Sequence, residues 1–493
     1  MTQNTVRNIV IAGGGTAGWM AAAALSKLLG TQLNITLIES DEIGTVGVGE
    51  ATIPTLVFFH KLLDIKENDF LATTNGTYKL GIQFENWKQL DHRYLHAFGM
   101  TGQDCWACGF QHFWLRGVKE GFGGDFGDYC LERRAAEAEK FAHLPNNGLN
   151  YAFHIDASLY AKFLRGFAEK FGVRRIEGKI AQVNTDEHSG YIRSLTLANG
   201  EQIDGELFID CSGFRGLLIE QALHTGYEDW SHWLPCDSAV AVQTASVSPP
   251  LPYTRSIARQ AGWQWRIPLQ TRVGNGLVYC SKYQSDDEAK QQLLQNIDGA
   301  ALIEPRVIKF KTGRRLKQWN KNCVALGLAS GFLEPLESTS IHLIQQGIVR
   351  LLRLFPQTGI QQCDIDEYNA QVSVDIEHIR DFIILHYKVT ERRDSAFWRY
   401  CKNMDVPRSL AHRIQLFKET GRMFRDGNEL FDDSWLQVMI GQGIVPERYH
   451  PLVDTMSRDE LGAMLSRLRN NIDNTVAPLP SHQNYLQQFC KAM

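Results

Sequence analysis

The chain has 493 residues, 51 Lys and Arg against 55 Asp and Glu, a net charge of −4, and 10 cysteines. At roughly 150 residues per domain, this length allows about three domain equivalents. The near-neutral charge disfavours nucleic acid and anionic membranes as partners, and the sparse cysteines indicate buried thiols rather than a disulfide scaffold. No apolar run approaches the ~20 residues that span a bilayer. No signal-peptide pattern opens the sequence, and we therefore expect a cytoplasmic protein.

The first predicted elements are a strand, a glycine-rich turn and a helix. Arg7 to Ala12 is rich in β-branched residues and suits a strand buried in a parallel sheet. The turn runs from Gly13 to Gly18, and the Ala- and Leu-rich stretch from Trp19 to Leu29 predicts a helix that ends before Gly30. The glycines therefore lie between a strand and a helix, as they do in dinucleotide-binding folds.

Each glycine of this turn has a physical role. Gly13 allows the tight turn, Gly15 lets the backbone approach a pyrophosphate, and Gly18 lets the helix pack closely on the strand. A second strand, Asn34 to Ile38, ends at Glu39, whose carboxylate can accept a hydrogen bond from a ribose hydroxyl. The motif predicts nucleotide binding, and at this point NAD and FAD both remain open.

Two later segments have the same strand-to-turn character. Gly205 to Asp210 runs into Cys211-Ser212-Gly213, and Asn322 to Leu328 predicts a strand followed by a turn and a helix over Ser338 to Phe355. Turns this far apart indicate a discontinuous nucleotide-binding domain, and from about residue 361 the pattern is mainly helical. No second strand-GxGxxG-helix unit occurs, so the sequence does not predict a dedicated NAD(P)H domain.

Four further segments contain unusual strings. Trp263 to Pro268 reads WQWRIP, Gly47 to Pro54 reads GVGEATIP, Lys79 lies in TYKLGIQF, and Glu334 to Ile341 reads EPLESTSI. With the glycine-rich turn, they resemble the flavin-dependent halogenases of the tryptophan halogenase family over most of the chain. In that family they correspond to the WxWxIP signature, a flavin-covering strap, the catalytic lysine, and the active-site glutamate with its halide-binding turn. An indole- or bromide-type member is one option.

The resemblance implies an α/β fold, with a Rossmann-like, three-layer FAD-binding domain of the flavin monooxygenase type and a mainly helical C-terminal substrate region. We expect residues 1–360 to form the discontinuous FAD-binding domain, with an inserted substrate-side sheet, and residues 361–493 to form the helical region. The expected cofactor-binding residues are Gly13, Gly15, Thr16, Ala17, Gly18, Glu39, Glu50, Ala51, Val183, Leu328 and Ile341.

The resemblance also implies the chemistry. Reduced FAD (FADH2) and dioxygen would give a flavin hydroperoxide, and a bound chloride or bromide ion would attack it to give hypohalous acid. Lys79 would hold and guide this electrophile, and partial burial would lower the pKa of its ammonium group. Glu337 would stabilise the cationic ring intermediate and take its proton. The sign of the shift in the pKa of Glu337 stays open, because apolar neighbours and Lys79 act in opposite directions.

Thr339 and Ser340 match the halide-binding positions of the family. Many tryptophan halogenases have glycine where this chain has Ser340, and the choice between chloride and bromide stays open. By themselves, Lys79 and Glu337 would be interpreted as an edge-strand lysine and a first-turn helix acid. The other motifs favour the catalytic interpretation.

Aromatic residues define the expected route to the substrate. His96 and Phe98 match positions that sandwich an indole ring in the family, and Phe110, His112 and Trp435 are further candidates. In the family, the two tryptophans of WQWRIP, Trp263 and Trp265, are associated with keeping substrate away from the flavin, and core packing on one strand face is compatible with that role. The segment GNELFDDSWLQVMIGQG lacks the Tyr-Tyr pair and following acid expected for free tryptophan, so an indole or another electron-rich arene fits better.

The leading prediction is thus a two-component halogenase, an oxidoreductase supplied with reduced flavin by a separate NAD(P)H-dependent flavin reductase. The alternatives are a single-component FAD-dependent aromatic monooxygenase and a flavoprotein scaffold without turnover, and Lys79 and the WxWxIP string favour the halogenase. Cys105-Trp106-Ala107-Cys108 lacks a second ligand pair, so no metal site is predicted. A homodimer is one option that the sequence leaves open.

Overall fold

The computed structural model describes residues 6–42, 49–145, 148–356, 358–423 and 429–492. They form a mixed α/β fold, which confirms the predicted fold class. The strands are β1 (Asn8–Ala12), β2 (Asn34–Glu39), β3 (Gly49–Ala51), β4 (Thr77–Lys79), β5 (Gly81–Glu85), β6 (Arg93–Ala97), β7 (Ala152–Asp156), β8 (Arg174–Glu177), β9 (Ile180–Thr185), β10 (Ile192–Leu197), β11 (Gln202–Asp204), β12 (Leu207–Asp210), β13 (Tyr227–Asp229), β14 (Ser238–Ala245), β15 (Thr254–Arg259), β16 (Gly262–Pro268), β17 (Arg272–Tyr279), β18 (Arg306–Lys309), β19 (Gly313–Arg315), β20 (Trp319–Asn320), β21 (Cys323–Ala325) and β22 (Gly331–Phe332).

The helices cover the sheets and make up most of the C-terminal part. They are α1 (Thr16–Leu29), α2 (Thr55–Leu62), α3 (Glu67–Thr73), α4 (Phe110–Lys119), α5 (Leu131–Glu137), α6 (Ala157–Lys170), α7 (Asp286–Leu294), α8 (Ser340–Arg353), α9 (Gln362–Lys388), α10 (Ala396–Asn403), α11 (Arg408–Thr420), α12 (Ser434–Gly441), α13 (Arg458–Val476) and α14 (His482–Phe489). Among the described residues, no helix has the length and apolar character needed to cross a membrane.

A six-stranded sheet with the order β20-β21-β12-β1-β2-β8 forms the centre of the N-terminal part. Its strands are parallel except for the edge strand β20. Successive side chains of β1 point to opposite faces: Ile9 and Ile11 join the core that contains α1, whereas Val10 and Ala12 join a second core with the small sheet β11-β10-β9. Helices, parallel sheet and small sheet are the three predicted layers.

Two element boundaries differ from the sequence-based expectation. The strand expected over Asn322 to Leu328 is shorter, because β21 ends at Ala325 and Gly327, with φ +61°, begins a 3₁₀ turn. The helix expected from Ser338 begins two residues later, because Ser338 has a left-handed backbone with φ +59°. The glycine-rich turn, in contrast, joins β1 and α1 as predicted.

A seven-stranded sheet with the order β18-β14-β17-β16-β15-β5-β6 lies beside the cofactor-type domain. Its neighbours are antiparallel except for β15 and β5. The small sheet β3-β7-β4 adjoins it, and β4 leads through Leu80 directly into β5. Lys79, the last residue of β4, therefore lies where the two sheets meet.

The described residues from 362 onward form helices α9 to α14 together with a 3₁₀ turn. The longest, α9, has 27 residues, and its second half is the most buried part. It buries residues Ile379 to Tyr387 in succession, beyond a single amphipathic stripe, so this half of the helix passes through the core. The domain boundary near residue 360 stays a prediction.

Candidate active site

A cavity of about 1160 Å³ opens at the carboxyl ends of β1, β2 and β12, the place where ligands bind in open parallel sheets. It runs from the glycine-rich turn and Glu39 at one end to β16 and the start of α8 at the other. A Cβ atom placed on Gly15 would meet no atom within 4 Å, so this backbone faces open space, as close approach of a pyrophosphate requires. The elongated cavity and its open glycine cradle fit a dinucleotide cofactor such as FAD.

Nine of the residues predicted to bind the cofactor line this cavity: Gly13, Gly15, Thr16, Ala17, Glu39, Glu50, Ala51, Leu328 and Ile341. Gly18 lies behind the turn, where an added Cβ would come within 1.9 Å of the carbonyl oxygen of Gly13. Val183 is not brought to the cavity, since it lies in β9 and packs against the second core. The strap residues Gly47 and Val48 lie outside the described residues.

Glu39 is fixed in place by its neighbours. Its carboxylate accepts hydrogen bonds from the Arg175 guanidinium and, at 3.3 Å, from the indole nitrogen of Trp19. Arg165 lies 3.7 Å from the same carboxylate. A Cβ on Gly14 would overlap the carboxylate, so Glu39 lies directly against the glycine-rich turn. Its position at the end of β2 suits a ribose hydroxyl.

Glu50 lies in β3 and lines the cavity. Within the described residues, no cation pairs with its side chain, and burial raises the pKa of its carboxyl to about 7. A neutral carboxyl group can donate a hydrogen bond, which a carboxylate cannot do. Glu50 is therefore suited to a polar ligand atom that carries a lone pair.

Lys79 is fully buried. Its Nζ donates hydrogen bonds to the Oγ of Ser338 at 2.8 Å and to the carbonyl oxygen of Thr52 at 3.0 Å, and it lies 5.1 Å from the centre of the Phe98 ring. Burial lowers the pKa of Lys79 to about 7, although the negative charge of Glu337 opposes this shift. Lys79 is set behind the cavity wall, because its partner Ser338 lines the cavity and Lys79 does not.

The segment between Glu334 and α8 forms a compact turn. Pro335–Glu337 is a 3₁₀ turn, Ser338 has a left-handed backbone, and Thr339 is the N-cap residue of α8. The strained conformation of Ser338 redirects the chain so that Ser340 and Ile341, at the start of α8, line the cavity. The first amide groups of a helix have no partner within it, so this end offers N–H donors to an anion.

Glu337 is held between two histidines. Its Oε2 lies 2.9 Å from Nδ1 of His96, and its Oε1 lies 2.8 Å from Nε2 of His386. Burial would raise the pKa of Glu337, but charge interactions and hydrogen bonds with His96 and His386 outweigh it and lower the pKa to about 2. Neighbouring charges therefore decide the sign that the sequence left open.

The geometry also locates a proton. Nδ1 of His386 lies 2.8 Å from the carbonyl oxygen of Phe382, and a carbonyl oxygen only accepts, so this nitrogen carries hydrogen. Nε2 of the same ring lies 2.8 Å from Oε1 of Glu337. Helix α9 therefore fixes the orientation of the His386 ring against the Glu337 carboxylate.

The aromatic residues predicted for the substrate side divide into two groups. Trp435 packs edge-on against Phe382, with ring centres 4.9 Å apart, and Phe382 lies 5.8 Å from His96. The Phe98 ring lies separately, 5.1 Å from Nζ of Lys79. Phe110, at the start of α4, belongs to a different cluster and packs against the rings of Phe126 and Tyr129.

Trp263 and Trp265 both line the cavity from one face of β16, as the strand periodicity predicts. Their rings lie 6.1 Å apart. The indole nitrogen of Trp263 donates a 2.6 Å hydrogen bond to Glu334, whereas that of Trp265 is buried without a partner among the described residues. The two tryptophans of one motif therefore have different surroundings.

Sequence reasoning missed three residues of this region: Phe382, His386 and Glu334. Phe382 and His386 lie four residues apart on α9, on one helix face, and this i, i+4 spacing within the predicted helix was a usable signal. Glu334 begins the EPLESTSI string, but nothing local indicates what it contacts. Its partners lie in β16 and α9.

Comparison with known proteins identifies the family. The family model described as tryptophan halogenase matches residues 8–458. A flavin-dependent halogenase from Xanthomonas campestris has a solved structure with 60% sequence identity and a TM-score of 0.98, covering 99% of each chain. BrvH, a flavin-dependent halogenase from Brevundimonas sp. BAL3, has 44% identity and a TM-score of 0.94, covering 98% of this chain and 99% of that chain.

Curated relatives agree. The tryptophan 7-halogenase RebH from Lentzea aerocolonigenes is 34% identical, over 98% of this chain and 98% of its own length. These similarities extend over both the cavity and the helical C-terminal part, and they do not favour the monooxygenase alternative. The chain belongs to the tryptophan halogenase family and is a flavin-dependent halogenase.

Proposed function

We propose that this halogenase uses reduced FAD, dioxygen and a halide ion to halogenate a small, neutral, electron-rich arene such as an indole. The observation that carries the proposal is the position of Lys79. Its buried ammonium contacts Ser338, which lines the cavity, and interacts with the charge of Glu337 on the side away from the cavity. One cation therefore lies between the oxidising side and the substrate side.

The cofactor would occupy the elongated cavity. The glycine-rich turn and the N-terminus of α1 would hold the pyrophosphate, and Glu39 would bind the ribose. When bound, reduced FAD together with dioxygen supplies the oxidant that converts a halide ion into hypohalous acid. A separate NAD(P)H-dependent flavin reductase would deliver the reduced flavin, since the sequence contains one glycine-rich nucleotide turn of this kind.

Lys79 would receive and aim the electrophile. Two of its three donor positions are used by Ser338 and Thr52, which leaves one for hypohalous acid. With a pKa near 7, its amine is easily deprotonated at neutral pH and can also react as a nucleophile. Burial excludes water from the ammonium, so its hydrogen bond to the electrophile is stronger than it would be in solution.

Glu337 would act on the ring. The ring becomes cationic when it accepts the halogen, and a carboxylate with a pKa of about 2 stays negative beside it. The ring proton would pass to Glu337, and the contact with His386 would hold the carboxylate in place for this step. Thr339 and Ser340, at the start of α8, would present backbone N–H groups to the halide ion.

The preference for a neutral arene rests on the surroundings of Trp435. Glu429, an acid close to it, accepts a 2.7 Å hydrogen bond from the Trp435 indole nitrogen and pairs with Arg413. It is therefore engaged by protein groups and does not present a free carboxylate to a substrate ammonium. The aromatic rings of Phe382 and Trp435 suit a flat ring.

The test is a product analysis in parallel reactions. The protein is incubated with FAD, a flavin reductase, NADH and oxygen, with indole or tryptophan as substrate and with chloride or bromide as halide. We expect a monohalogenated indole, identified by its isotope pattern, and less product from tryptophan. A preference for tryptophan would overturn the assignment of a neutral arene, and an oxygenated product would overturn the proposed reaction.

A further inference from the structure

A second buried carboxylate, Glu334, lies three residues before Glu337. It is fully buried, and its Oε2 accepts two short hydrogen bonds, 2.6 Å from the indole nitrogen of Trp263 and 2.6 Å from the hydroxyl of Tyr387. Its other oxygen has no partner among the described residues. Trp87 and Trp398 pack against Tyr387, with ring centres 5.2 and 5.9 Å from its own. The two hydrogen bonds that Glu334 accepts thus come from neutral donors.

These hydrogen bonds connect three parts of the molecule. Trp263 belongs to β16, Tyr387 to α9, and Glu334 begins the turn that carries Glu337 and Thr339. Consecutive residues of α9 hold the two acids, because His386 contacts Glu337 and Tyr387 contacts Glu334. The turn is therefore attached to the helix at two points. A change at Glu334 would loosen the segment that positions both the carboxylate and the start of α8.

We propose that Glu334 is a positioning residue, clamped by Trp263 and Tyr387, that sets the geometry of the halide-binding turn and of Glu337. The first tryptophan of the WxWxIP string then acts through its N–H group, in addition to any role of its ring as a wall. This inference rests on the proposed function, because it assigns the same turn to halide and to the ring step. It differs from a barrier role, which depends on ring size alone.

The motif itself provides a matched comparison. Replacing either tryptophan by phenylalanine keeps an aromatic ring in the same strand. Trp263→Phe removes a hydrogen bond to a carboxyl group, whereas Trp265→Phe removes an N–H group that has no partner in the described part of the chain. A hydrogen bond of this kind corresponds to about a tenfold effect. We expect the bromide KM to rise about tenfold in Trp263→Phe and by a clearly smaller factor in Trp265→Phe. The midpoint of thermal unfolding serves as the folding control for both, because both tryptophans line the cofactor cavity.

Variants of the other two partners test the clamp independently. Tyr387→Phe removes the second donor and should also raise the bromide KM. Glu334→Gln keeps an oxygen that accepts both hydrogen bonds and should stay near the wild type, whereas Glu334→Leu should resemble Trp263→Phe. Equal effects of Trp263→Phe and Trp265→Phe, or failure of Gln to rescue relative to Leu, would overturn the proposal. Oxygenated product from Trp263→Phe at an unchanged bromide KM would overturn it in favour of a barrier.

A measurement without turnover separates this inference from the proposed function. Amide hydrogen exchange of residues 336–340, followed with FAD bound, reports the rigidity of the turn directly. We expect faster exchange in Trp263→Phe and Tyr387→Phe than in Trp265→Phe and Glu334→Gln. Unchanged exchange in the first two would overturn the clamp even in an active enzyme. If the wild type gave no halogenated product, the proposed function would be contradicted. The exchange rates would still test the clamp, because their measurement does not need turnover.

Discussion

Glu334 and Glu337 lie at the two ends of one turn and are equally buried, but their pKa values shift in opposite directions. Glu337, 1% exposed, lies between His96 and His386, and its pKa falls to about 2. Glu334, 0% exposed, accepts hydrogen bonds from the neutral side chains of Trp263 and Tyr387, and burial raises its pKa to about 7. The charge of the donors, not the depth of burial, decides which acid stays ionised. One end of the turn is thus suited to stabilise positive charge, and the other end to hold the turn in place.

Removing the positive charge of Lys79, which lies near the ionised Glu337, should have the largest effect. In Lys79→Met the side chain keeps its length but cannot hold the electrophile, and we expect halogenated product to fall by about 1000-fold or more. FAD affinity should change little, because Lys79 does not line the cavity. Lys66→Met, on an exposed lysine, is the control. A normal product yield from Lys79→Met would contradict the assignment.

Replacing the ionised Glu337 by a neutral amide should slow the ring step specifically. In Glu337→Gln the side chain keeps its shape but can neither take a proton nor carry the charge, and we expect arene halogenation to slow by about 100-fold. Formation of hypohalous acid, followed with a reactive thioether trap in place of the arene, should fall much less. If both rates fall equally, Glu337 acts before the ring step.

Some parts of the site could be predicted from the sequence, because the reason for them is local or comes from the family resemblance. The glycine-rich turn was predictable because β1, Gly13, Gly15 and α1 are contiguous and each glycine has a local steric reason. The identity of Lys79 and Glu337 as candidates came from the family resemblance, since neither residue differs locally from an ordinary lysine or helix-start acid.

The partners of these residues could not be predicted in the same way. His386 is 49 positions from Glu337 and Trp263 is 71 positions from Glu334, so both contacts depend on how α9 and β16 pack against the turn. For the same reason the sign of the pKa shift of Glu337 was open. Val183 was expected to bind the cofactor, but it lies in β9 and packs against the second core instead of lining the cavity.

Replacing Glu334 by glutamine should change how stability depends on pH. The pKa of Glu334 is raised from 4.5 to about 7 in the folded protein. Its stabilising contribution to the free energy of unfolding is therefore fully present below the unfolded pKa of 4.5 and is lost as the pH rises towards 7. Glu334→Gln has no such loss. We expect the free energy of unfolding of the wild type to fall by about 2 kcal/mol relative to Glu334→Gln between pH 5 and 7.

Glu337→Gln is the comparison for this measurement. Because the pKa of Glu337 is lowered to about 2, its stabilising contribution is present above the unfolded value and is lost only as the pH falls towards 2. Titration of the Glu337 carboxyl itself should therefore contribute almost no change, between pH 5 and 7, to the difference between wild type and Glu337→Gln measured by urea unfolding at each pH. Parallel curves for both Gln variants would show that the two acids do not differ as described.

The smallest expected effect is that of His386→Phe, which should shift the pKa of Glu337 upwards, in the same direction as that of Glu334. His386→Phe leaves His96 in place but removes one imidazole from Glu337, so burial counts for more and the pKa of Glu337 should rise. A protonated Glu337 cannot accept the ring proton, so the rate of the variant relative to wild type, at saturating bromide, should fall as the pH decreases from 7 to 5. Dividing by the wild-type rate removes the titration that Lys79 contributes to both proteins. Tyr387→Phe, one position along the same helix, touches Glu334 instead, and its relative rate should not vary with pH. A pH-independent ratio for His386→Phe would mean that His96 alone keeps Glu337 ionised, and that His386 serves only to hold the carboxylate in place.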